Sequence, residues 1–169
     1  GYSNSTAGVN SGMVENTEIY FGANWKTVSL KQYIAVTPYF NAVGMNNKST
    51  AGSGYTTLTG TYDLGQADDS LAGWGLLAHA GYFYMMNYSQ ADYADWELGV
   101  TKDLGAGWNA KVSYIQAATN ANCSKAQFYC FYKNGQSGTS ENAGHATAMV
   151  TVGRTFCLLY TSPSPRDGL

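Results

Sequence analysis

From Thr17 onward the chain alternates apolar and polar side chains with a period of two, in segments of about ten residues separated by turns or loops. The first segment, Thr17 to Lys26, sets Ile19, Phe21, Ala23 and Trp25 against Glu18, Tyr20, Gly22 and Asn24. The second, Val28 to Phe40, sets Val28, Leu30, Ile34, Val36 and Phe40 against Ser29, Lys31, Tyr33 and Thr37, with Gln32 interrupting the apolar side. The third, near Gly54 to Leu64, sets Leu58, Tyr62 and Leu64 against a run of threonines. The fourth, "WGLLAHAGYFYMMNY", opposes Leu76, Ala78, Ala80, Tyr82 and Tyr84 to Leu77, His79, Gly81 and Phe83. The fifth, sixth and last segments carry Trp96, Leu98 and Val100, then Trp108, Val112 and Tyr114, then Ala148, Val150, Val152 and Phe156 on their apolar sides. The pattern predicts seven strands and no helix.

A sheet with one apolar side must cover that side. A soluble sandwich or a ligand-binding antiparallel barrel turns it inward, whereas an outer-membrane barrel turns it toward lipid around a polar lumen. Alternation alone does not choose. Composition narrows the field: 20 Gly and 14 Tyr with only 12% charged residues disfavour helices, and no apolar run is long enough for a membrane helix. A net charge of −2 without a Lys/Arg cluster argues against a nucleic-acid partner.

Three features favour the membrane reading. Aromatic residues gather near segment ends, and Trp25, Tyr39, Phe40, Trp74, Tyr88, Tyr93 and Trp108 are candidates for an interfacial girdle. Tight turns at Lys26 to Val28 and Gly105 to Gly107 alternate with long polar connections, Asn41 to Ser53 and Ala118 to Gly144, although "GQADDSLAGW" is longer than a tight turn. Segments of about ten residues also suit tilted strands crossing a bilayer. The expected fold is an all-β, antiparallel, up-and-down transmembrane β-barrel, of which about seven C-terminal strands are present.

The ends of the chain need separate treatment. The opening "GYSNSTAGVNSG" lacks an initiator Met and a signal peptide. Beyond Phe156, "CLLYTSPSPRD" resembles one reading frame of a common sequencing adapter, so 157–169 is set aside as a non-native tail and 1–156 is taken as the C-terminal part of one barrel domain. Cys123 and Cys130 then remain as an even pair in a polar loop. They are a disulfide candidate rather than a zinc site, which needs four ligands.

The runs "TEIYFGANWKTVSLKQY", "LLAHAGYF", "DYADWELGVTKDLGAGWNAKVSY" and "VTVGRTF" resemble the TorF-type outer-membrane porin family, from about Thr17 to Phe156. The resemblance implies a Gram-negative outer-membrane location, contact with outer-membrane lipid, and about twelve strands in all. It also implies a C-terminal assembly signal at Val150, Val152 and Phe156, read by the barrel-assembly machinery; Arg154 departs from that signal. The function implied is passive diffusion of small hydrophilic solutes or ions.

A wetted lumen needs polar groups. The candidates are Glu18, Lys31, His79, Asp95, Glu97 and Lys111, with both signs present. A hydrolase reading would use His79 as base for a nearby Ser with Asp95 or Glu97 as orienter. No phosphate-binding glycine loop, HExxH or CxxC occurs, so neither catalytic groups, metal nor cofactor is expected. The competing readings are a structural or adhesive barrel without an open pore and a soluble ligand-binding barrel.

Overall fold

The computed structural model describes residues 15–120, 123, 129–132 and 140–156. Seven strands form one antiparallel sheet: β1 (Glu18–Trp25), β2 (Val28–Ala35), β3 (Gly54–Asp63), β4 (Trp74–Tyr84), β5 (Tyr93–Gly105), β6 (Trp108–Thr119) and, after a small hairpin, β9 (Thr147–Arg154). Their order is β1-β2-β3-β4-β5-β6-β9, so each strand pairs with its neighbour in sequence apart from the excursion before β9. The excursion carries β7 (Cys130–Tyr132) and β8 (Ser140–Asn142), paired only with each other. The chain is all-β, and among the described residues the sheet ends at β1 and β9 without closing on itself.

Turn chemistry fixes the register. At the β5–β6 turn Ala106 (φ 51°) and Gly107 (φ 80°) both take positive φ, the conformation whose twist suits a two-residue hairpin. A side chain on Gly107 would also strike the Thr155 carbonyl of the last strand's extension. The connection Asp63 to Trp74 is longer because it folds into two 3-10 turns, in which the carboxylates of Asp63 and Asp68 accept from the N–H groups of Gly65 and Ser70, each at 2.9 Å.

Two strands stop earlier than the alternation suggests. β2 ends at Ala35 rather than Phe40, because Pro38 lacks an N–H to continue the ladder and leads into a 3-10 turn at Tyr39–Asn41. β4 ends at Tyr84 rather than Tyr88: the Asp92 carboxylate takes the Met85 N–H at 2.7 Å and Asn87 turns the chain at φ 60°. Among the described residues five short 3-10 turns lie in the connections between strands. Each is three residues long, too short for any period to announce it.

The apolar side of the sheet is exposed along all seven strands. Ile19, Phe21, Leu30, Leu58, Leu76, Val100, Val112 and Val152 are all exposed on the apolar side, with Leu98 at 56% and Val150 at 71% of full exposure. Thr57 and Ser113, on the polar side, are buried. The buried apolar cluster of Phe83, Met85, Tyr88 and Ala91 sits instead at the end of the sheet that carries the long loops. There the 36–53 connection is pinned down. Thr50 Oγ1 accepts from the Tyr39 N–H (2.9 Å) and donates to the Ala42 carbonyl (2.8 Å), while Ser53 Oγ donates to the Thr50 carbonyl (2.6 Å) and accepts from the Met86 N–H (2.9 Å).

Candidate functional site: the polar face of the sheet

Register carries distant residues into rows across the polar face. One row reads Tyr20, Tyr33, Tyr55, Phe83 and Tyr93, each directly opposite the next on β1 to β5. The next row toward the tight turns reads Gly22, Lys31, Thr57, Gly81 and Asp95, and the one after it Asn24, Ser29, Thr59, His79 and Glu97. A pocket of about 590 Å³ opens over these rows, lined by Tyr33, Tyr55 and Tyr93 with Glu18, Lys31 and His79 among its polar walls.

Of the six lumen candidates, four meet in pairs. The Lys111 ammonium lies 2.6 Å from Glu97 Oε1, and His79 Nε2 lies 3.2 Å from Asp95 Oδ1. Glu18 accepts from the Asn16 side-chain amide at 3.0 Å, and no ion pair joins Glu18 or Lys31 to another charge among the described residues. Both nevertheless line the same pocket as His79.

Residues not singled out in the sequence complete the network. Tyr55 donates its hydroxyl to Asp95 Oδ2 at 2.7 Å and lies 3.3 Å from His79 Nε2, while Thr59 Oγ1 lies 2.8 Å from His79 Nδ1. The order Thr59, His79, Asp95 has the connectivity of a nucleophile, base and orienter, with a threonine where the hydrolase reading wanted a serine. Thr59 stands in mid-strand, with β3 paired to β2 on one side and to β4 on the other. The neighbouring backbone N–H groups therefore serve the ladder and do not converge on an oxyanion. Among the described residues no cluster of His, Cys, Asp and Glu has the makings of a metal site.

The aromatic girdle divides. Trp25, Trp74 and Trp108 are exposed on the apolar side at the tight-turn end, and each lies under a cation. Lys26 sits 5.2 Å from the Trp25 ring, Lys102 4.9 Å from Trp74, and Arg154 5.2 Å from Trp108 and 4.6 Å from Phe156. Phe40 is exposed in the loop after β2. Tyr39, Tyr88 and Tyr93 are corrections. Tyr88 is buried, Tyr39 packs on Phe83 at a centroid distance of 5.0 Å, and Tyr93 shares the polar face because it has the parity of Asp95 and Glu97. Val150 and Val152 are exposed on the apolar side opposite Val112 and Ala110, and Phe156 is exposed just beyond β9.

From the long connection, Tyr129 reaches the same end of the sheet. Cys123 and Cys130 form a disulfide with Cα atoms 5.2 Å apart. The adjacent Tyr129 donates its hydroxyl to the Ala91 carbonyl at 2.8 Å and meets Tyr93 edge-on at 5.7 Å. Burial, helped by the neighbouring Tyr93, pushes the Tyr129 phenol up to about 12. The tail at 157–169 and the opening 1–14 lie outside the described residues.

A family of bacterial proteins of unknown function, Gcw_chp, matches residues 2–156, and the chain belongs to it. No curated protein and no solved structure matches.

Proposed function

We propose that this member of the Gcw_chp family is a wall segment of an outer-membrane β-barrel in a Gram-negative bacterium. In this reading the sheet, completed by further strands, encloses a channel for passive diffusion of small hydrophilic solutes or ions. The observation that carries the proposal is the inverted burial. An apolar surface spread over all seven strands far exceeds the few hundred Å² that soluble monomers leave exposed, and lipid is the medium that suits it. The three tryptophans at the tight-turn end, each with a cation above its ring, have the amphipathic chemistry of a headgroup interface. Arg154 then belongs to that interface, which accounts for its departure from an apolar assembly signal. The family match runs to Phe156, the last residue of the proposed signal to the assembly machinery.

The polar face supplies the lumen. Glu97 is paired with Lys111, and the other charges are few and of both signs, so transport rests on size filtering with weak electrostatic bias. We read the Thr59–His79–Asp95 chain as wall structure rather than an enzyme. Reconstitution of the protein into planar lipid bilayers tests the proposal: stepwise, ohmic conductance in KCl is expected. A monomer that stays folded in detergent-free buffer and adds no conductance would overturn it.

A further inference from the structure

The aromatic row has no role in the diffusion reading, which needs only water and fixed charge. Tyr20, Tyr33, Tyr55 and Tyr93 stand on the polar face with successive centroids 5.7, 6.5 and 6.1 Å apart and ring planes 32°, 30° and 38° from one another. Phe83 lies buried beside Tyr93, stacked at 5.2 Å, and fills the position between Tyr55 and Tyr93. Tyr129 continues the row onto the outer loop. Because barrel strands tilt by about 35–45°, a row running straight across strands climbs the lumen wall as an inclined track.

Hydroxyl, amine and carboxylate groups flank this track. The pocket over Tyr33, Tyr55 and Tyr93 also presents Ser29, Thr57 and Thr59, with Lys31 and Glu18 as charges of opposite sign. An anion would want a cluster of cations, and a cation would want the aromatic faces without Lys31. A row of ring faces bordered by hydroxyls, with one ammonium and one carboxylate of opposite sign beside them, suits a solute with flat C–H faces and a hydroxylated rim.

We propose that the tyrosine row is a binding track for neutral carbohydrates, linear oligosaccharides of pyranose units, whose ring faces stack on Tyr33, Tyr55 and Tyr93 while their hydroxyls bond to the flanking side chains. The inference deepens the channel reading and rests on it for transport, but binding itself needs only the sheet.

The test uses the detergent-folded protein and the same protein in planar bilayers, with maltotriose and cellotriose as probes and choline and succinate as charged comparators. Calorimetry is expected to give saturable binding of a trisaccharide, with Kd raised about tenfold in Tyr33→Ala. In bilayers the sugar should interrupt the KCl current, and Tyr33→Ala should shorten the interruptions. KCl conductance with no sugar binding overturns the track and leaves the channel standing. Sugar binding without conductance overturns the channel and leaves the track. Preferential binding of choline or succinate, or a Tyr33→Ala variant that binds the sugars as before while keeping its near-ultraviolet spectrum apart from the lost ring, also overturns the track.

Discussion

Tyr55 reaches across a whole strand to Asp95. Its hydroxyl starts on β3, passes over Gly81 on β4 and donates to the carboxylate on β5 at 2.7 Å. The bridge exists because Gly81 has no side chain: a Cβ there would collide with the Tyr55 hydroxyl and sit 2.6 Å from Asp95 Oδ2.

Gly81→Ala should therefore break the bridge, although its backbone lies in an ordinary strand conformation. The expected loss is about 1.5–3 kcal/mol, the range for a hydrogen bond to a charged group. Urea unfolding of the detergent-folded protein, beside Tyr55→Phe, which removes the same bond without a collision, checks this. An alanine variant as stable as the parent would show that the phenol does not cross β4.

Leu98→Arg separates lipid from water as the medium of the apolar side. At the midplane of a membrane barrel the change costs about 2–4 kcal/mol, whereas at an exposed site in water it falls within about 0.5 kcal/mol. Folding into lipid vesicles, followed by denaturant titration, is expected to give the larger loss.

Glu97→Gln leaves the Lys111 ammonium without its carboxylate partner at 2.6 Å. The lumen wall gains one uncompensated positive charge, so the K⁺/Cl⁻ permeability ratio should fall, by about twofold if the pair lies near a constriction. The reversal potential in a KCl gradient reads the direction; a shift toward potassium would contradict the placement of this pair on the channel wall.

Cys123→Ser opens a small loop whose closure contributes about 2.5 kcal/mol in the chain-entropy view. The main ladder does not pass through it, so barrel assembly should persist while protease cleaves the 120–146 connection faster. Heat-modifiable migration on gels reports the first and limited proteolysis the second. Loss of assembly would mean that the loop is part of the folding nucleus.

The strands were legible because alternation is a local signal: Ile19 to Trp25 and Trp96 to Val100 declare their faces without any partner. Parity also carried Tyr20 and Tyr33 to the side of Lys31, whereas Tyr93, read as part of the girdle, joins Asp95 on that face only in the structure. What parity lacks is the offset between strands, so the row that joins those tyrosines to Tyr55 and Phe83 emerges only from the pairing. The same gap hid Thr59 beside His79 and made Tyr88 look like an interfacial anchor, when an Asp92 cap on Met85 folds it into the rim. The β7–β8 hairpin was hidden for another reason, since three-residue strands are shorter than the window in which alternation can be recognised.

The hydroxyls of Thr50 and Ser53 give the loop-bearing end of the sheet its temperament. Together they engage four backbone groups, reaching as far as Met86 on the neighbouring connection. Three of these bonds hold the 36–53 connection in its own shape, and the fourth ties it to Met86 on its neighbour. If the sheet is the wall of a channel, this end of it behaves as fixed masonry rather than a door.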